Sequence, residues 1–145
     1  MLAIPSDHRL AQVARPATVP VRLKELDGEK IILVRRPGAP GLYANLLAAC
    51  ARQNVRVEVV AEVERMMTNL NLIAAGVGLS LVPASMEGVH RRAIVYRPLS
   101  SLLRLAAPLT LAYRRADAQG PTMTFIALAQ EVAAKYRAHR ATSVR

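Results

Sequence analysis

Two adjacent arginines open the stretch VRRPGAPGLY, residues 34–43, which then runs through prolines and glycines into an apolar, helically spaced segment. Arginine presents a planar fork of donors that matches a carboxylate. A loop that leaves the carboxyl end of a parallel strand and enters a helix adds free backbone N–H groups and the positive end of the helix dipole. Arg35 and Arg36 in such a loop can hold a small anion, although the same two residues read equally well as solvated loop arginines. Met67 and Thr68, at the start of a second helix, offer a hydroxyl and further N–H donors to the same crevice, and Met67 also reads as a core residue.

Other chemistry finds little to stand on. His8, His90 and His139 lie far apart with no metal-ligand spacing around them, so no metal is expected. Cys50 falls on the apolar stripe of its helix and reads as a packed small hydrophobe. There is no G-x-S-x-G elbow, and GVGLSLVP closes a helix where the glycine-rich nucleotide loops open one. The expectation is a protein that is not an enzyme and carries no cofactor.

The charge agrees with an anionic partner. Twenty Lys and Arg against ten Asp and Glu give a formal charge of +10 over 145 residues, spread along the chain without a block of five like charges. One Phe, four Tyr and no Trp leave little for stacking on single-stranded nucleic acid. No run approaches the ~18 apolar residues of a membrane span, and no secretory apolar region precedes Pro5. With one cysteine, a reducing compartment and a cytoplasmic location are expected.

The elements that must position these residues alternate. KIILV, 30–34, reads as a strand buried on both faces, and from Pro40 the positions Leu42, Leu46, Ala49 and Cys50 recur at helical spacing up to Asn54. VRVEVV, 55–60, alternates as a half-buried strand. Met66, Leu70, Ile73 and Val77 mark a second helix closed by a left-handed Gly76, with Asn69 and Asn71 facing outward. LSLV, AIVYRPL (93–99) and APLTLAYRR (107–115) read as further strands. PTMTFIALAQEVAAKYRAHR reads as a terminal helix with Phe125, Leu128, Ala129, Val132 and Tyr136 on one face. The pattern predicts an α/β domain with a largely parallel sheet.

LIAAGVGLSLVPAS, 72–85, closely resembles the LVAAGxGxxLVPAS segment of the effector-binding domain of LysR-type transcriptional regulators. LAIPSDHRLA, 2–11, resembles the same family's LPxxHPLA crossover, PGLYANLLAAC its effector-loop helix, and VYRPL its later strand. PGLY together with LVPAS is most similar to the branch that controls degradation of aromatic compounds.

The resemblance implies a periplasmic-binding-protein-like fold of type II, with an effector held between two α/β subdomains. It places the complete second subdomain at about 17–105, and remnants of the first at 1–12 and 107–138. By position it assigns Arg35, Arg36, Pro37, Pro40, Gly41 and Leu42 to the loop and helix start over the effector, and Met67 and Thr68 to the flank of the same cleft. The implied partners are a small anionic effector, further copies of the chain, and DNA only through an N-terminal winged helix-turn-helix that this sequence lacks; no membrane is expected. Apolar surface on the first-subdomain remnants predicts self-association. Two other readings remain open at this point, a solute-binding protein of a transporter with the same fold and a basic nucleic-acid-binding protein.

Overall fold

The computed structural model describes residues 1–13, 16, 18–35, 42–100, 110–114, 116 and 119–142. The chain divides into two compact units, Met1–Ala107 and Pro108–Arg145.

The first unit contains five strands: β1 (Leu2–Pro5), β2 (Lys30–Val34), β3 (Glu58–Val63), β4 (Ser80–Leu81) and β5 (Ile94–Arg97). Two α-helices, α1 (Leu42–Arg52) and α2 (Met66–Ala74), follow β2 and β3. β2 and β3 pair in parallel, and β1 lies antiparallel between β4 and β5. A parallel bridge between Ile31 and Leu79 joins the two sets, with Ile32 N–H on Leu79 O and Leu79 N–H on Lys30 O, both at 2.8 Å. The order is therefore β3-β2-β4-β1-β5, with β1 alone running against the other four.

Residues 1–12 carry a departure from the expected organisation. Leu2–Pro5 is hydrogen-bonded on both sides within the sheet of the first unit, with all four residues buried. An apolar run without alternation suits such a central strand, since both faces are covered.

Alternate side chains of the sheet feed two cores. Leu2, Ile4, Ile31 and Leu33 join Leu46, Ala49 and Cys50 of α1 on one face. Ala3 and Ile32 join Leu70 and Ile73 of α2 on the other. The side-chain period of two thus sends one helix to each face.

The glycines of GVG have separate roles. Gly76 sits at φ +76° and closes α2: its N–H meets Ile73 O at 2.9 Å and the Val77 N–H meets Leu72 O at 3.1 Å, the paired bonds of a Schellman ending. Gly78 allows close approach, because a Cβ there would stand 2.7 Å from Lys30 O. Val77, expected in the core, is 36% exposed.

Other expectations shift. The strand expected at 55–60 begins at Glu58, because Asn54 at φ +52° and Val55, whose N–H bonds Cys50 O, belong to the ending of α1. Arg56 N–H is held by Asp27 Oδ1 at 2.7 Å. Asn69, expected outward, is fully buried, with Nδ2 3.6 Å from Met66 Sδ and Oδ1 without a partner. Arg97 in VYRPL is also buried, and its guanidinium donates to the carbonyls of Leu10, Pro16 and Val19.

His8 has a structural place. The Leu10 amide donates to Nδ1, and Nε2 lies 3.0 Å from Glu29, which also pairs with Arg9. The turn after β1 is thereby tied to the residue before β2.

In the second unit, residues 110–114 form no strand, contrary to the reading of 107–115, and the helix α3 spans Pro121–Thr142. Its protected positions are Thr122, Ile126 and Ala129, while Phe125, Leu128 and Val132 are exposed. The expected face is rotated by about one residue because apolar side chains occur all round the first half of this helix, so spacing alone does not choose among them.

Candidate functional site

Parallel pairing of β2 and β3 decides where the candidate residues gather. Each strand is followed by a helix, so the starts of α1 and α2 open at the same carboxyl-end edge of the pair. Ligands of open α/β sheets bind at that edge.

Arg35 is the first residue beyond β2. Its N–H donates to Val63 O at 2.9 Å, continuing the ladder by one bond, and its Nη2 lies 3.3 Å from Glu62 Oε1. Both side chains are about half exposed, so the pair leaves guanidinium donors open to a further acceptor. Glu62 was not among the residues singled out in the sequence. The signal for it is register: Leu33 faces Glu62 and Val34 faces Val63, which sets an acidic side chain beside the arginine that follows.

Arg36, Pro37, Pro40 and Gly41 lie outside the described residues. Leu42 is the first residue of α1. Behind it, Tyr43 is buried and its hydroxyl donates to Leu81 O at 2.7 Å. Burial pushes the Tyr43 phenol up from its usual 10.0, while the Ser80 side chain and the Val34 backbone pull the other way. Ser80 Oγ in turn donates to Ile32 O at 2.8 Å.

Across the edge, α2 starts at Met66 with Arg65 as its cap residue, and no side chain caps its first amides. Met67 is 53% exposed and Thr68 is exposed, so neither is core, and both are presented to solvent beside uncapped N–H groups. The structure therefore assembles Arg35, the start of α1, Met67 and Thr68 along one edge.

Hydrolytic or metal chemistry has no counterpart there. Among the described residues no three His, Cys, Asp or Glu side chains come together as a metal site. Cys50 is buried in the α1 core, where desolvation raises its thiol pKa and keeps it a thiol. His90 Nε2 lies 3.0 Å from Asn71 Oδ1, outside this edge. No helix among the described residues is long and apolar enough to cross a membrane.

Comparison with known proteins adds the family. Residues 1–134 match the model of the LysR substrate binding domain. The transcriptional regulator CatR of Pseudomonas putida is 34% identical over 116 residues, covering 79% of this chain and 37% of CatR. BenM of Acinetobacter baylyi is 30% identical over 99 residues, 68% of this chain and 32% of BenM. The solved effector binding domain of BenM with its effector benzoate superposes with a TM-score of 0.56 at 29% identity, over 68% of this chain and 43% of that domain. The chain thus spans little more than a third of the curated relatives it matches. The fold is the type II periplasmic-binding-protein-like α/β fold of these effector domains. With 134 of its residues matched and regulators of aromatic catabolism among its relatives, the chain belongs to the LysR substrate binding domain family.

Proposed function

We propose that this chain is an effector-sensing part of a LysR-type transcriptional regulator, that it binds a small carboxylate, and that it does no catalysis. The observation that carries the reading is Arg35, half exposed at the carboxyl end of β2, beside the starts of two helices that open on the same side. An aromatic acid or a ring-cleavage product fits this chemistry, and benzoate is the effector in the related BenM domain.

Arg35 and Arg36 supply charge. Pro37, Pro40, Gly41 and Leu42 shape the turn into α1, whose free amides receive carboxylate oxygens. Met67 covers the apolar part of the ligand and Thr68 offers a hydroxyl. Residues 17–105 act as the second subdomain and 107–138 as part of the first, with the ligand between them. Binding shifts the packing of the two, and in an oligomeric regulator in the cytoplasm that shift reaches DNA-binding segments. The coupling is as large as the ligand's differential affinity for the two arrangements, and no larger. Regulators rather than transport receptors supply the relatives, which favours this reading over a solute-binding protein.

Thermal unfolding with benzoate and cis,cis-muconate tests it. A bound ligand at tenfold its Kd stabilises the native state by about 1.4 kcal/mol, growing with concentration. The pair Arg35→Ala and Arg36→Ala together is expected to remove that stabilisation. An unchanged affinity in this double variant sinks the arginine assignment.

A further inference from the structure

The segment between Val34 and Leu42 departs from the sheet and returns to a helix, and both ends are held. Its departure is held by the Arg35 N–H on Val63 O and by the approach of Arg35 to Glu62. Its return is held by Tyr43, the second residue of α1. The Tyr43 ring belongs to the same core as Leu33, Leu46, Leu79 and Leu81, and its hydroxyl donates to Leu81 O at 2.7 Å, with Ser80 and the Val34 backbone beside it. One phenol thus ties together the carboxyl ends of β2 and β4 and the first turn of α1. Phenylalanine would fill the same volume, so what the hydroxyl adds is placement of the helix start.

We infer that Tyr43 is a positioning residue for the anion site: its hydrogen bond to the Leu81 carbonyl holds the first turn of α1 so that the α1 amides and Arg35 face one ligand. The inference rests on the effector-site reading above. Tyr43 is too buried to touch a ligand and acts through the backbone on either side of it.

The test is Tyr43→Phe in this chain, followed by amide hydrogen exchange without ligand and by titration with benzoate and with uncharged benzamide. Loss of one such hydrogen bond predicts exchange about three- to tenfold faster at Arg35 and at Leu46 in α1, with less than about twofold change at Ile73 in α2. The Kd for benzoate rises by about the same factor, and discrimination against benzamide shrinks, because only the carboxylate uses Arg35. Unchanged exchange at Arg35 and Leu46, or equal acceleration at Ile73, overturns the assignment. Equal weakening of both ligands marks a merely structural role and overturns it as well. If neither benzoate nor cis,cis-muconate binds the unaltered chain, the effector reading fails, while the exchange pattern still decides whether Tyr43 clamps the segment.

Discussion

In α2, Leu70 and Ile73 are fully buried between the helix and the sheet, whereas in α3 Phe125, Leu128 and Val132 are 59%, 56% and 53% exposed. Both helices place aliphatic side chains three and four residues apart. In α2 the apolar positions form one stripe, and the polar or capping residues around it allow a single way to lie on β1, β2 and β3. In α3 they surround the first half of the helix, so some must face water whichever side is covered. Apolar spacing reports the face a helix offers and says nothing about what receives it.

Substitutions should separate the two helices sharply. Ile73→Ala empties volume inside the α2 core and is expected to cost about 2–5 kcal/mol, read as a fall in the urea midpoint at constant m. A cost under about 1 kcal/mol would mean that α2 is as loosely held as α3 looks, and the contrast would collapse.

The exit from α2 sharpens the comparison at the level of single atoms. Gly78→Ala pushes a methyl to 2.7 Å from the Lys30 carbonyl, whose position is held by the bond from Leu79 N–H. Backbone has to move, at about 1–3 kcal/mol. Gly76→Ala meets no atom within 4 Å and suffers only its φ of +76°, about 1 kcal/mol. Equal costs would show that the close packing of β2 on Leu79 is not what requires a glycine at 78.

Alkaline titration then probes the first unit alone. Tyr43 and Tyr96 both have phenols raised above 10.0, by burial in each case and by Glu87 in addition for Tyr96. A native state that keeps these protons longer than the unfolded chain holds its full stability below the ordinary value and loses it as pH rises through the higher native one. The urea midpoint is expected to fall between about pH 9 and about pH 12, and less so in Tyr43→Phe. A midpoint flat across that range would remove the buried phenols from the account.

Much of this was legible in the residues. KIILV, the helix after Pro40, the Gly76 ending and the terminal helix are local patterns, and local hydrogen bonding suffices to set them. The family resemblance drew on those same stretches. What stayed hidden depends on partners distant in the chain. Arg97 is buried because the carbonyls of Leu10, Pro16 and Val19, some 80 residues away, receive its guanidinium. Asn69 is buried because α2 has sheet on that side. At the candidate site, Arg35 and the helix starts could be read from strand-to-helix order, whereas Glu62 and Tyr43 required the register of β2 on β3 and the position of β4.

The smallest expected effect on folding lies in α3, and it tests the other half of the contrast. Leu128→Ser removes an apolar side chain that is already 56% exposed, so little transfer free energy is lost and the change in stability should stay within about 0.5 kcal/mol. Phe125→Ser should behave alike. The same substitutions should act on association: an apolar surface of Phe125, Leu128 and Val132 in water favours contact with another such surface. Light scattering over a concentration series is therefore expected to show self-association for the unaltered chain and less for the doubly substituted one, at nearly equal unfolding midpoints. A monomer at every concentration would show that these side chains need no cover. A large loss of stability would show instead that they are packed within the chain, which would make α3 a second α2.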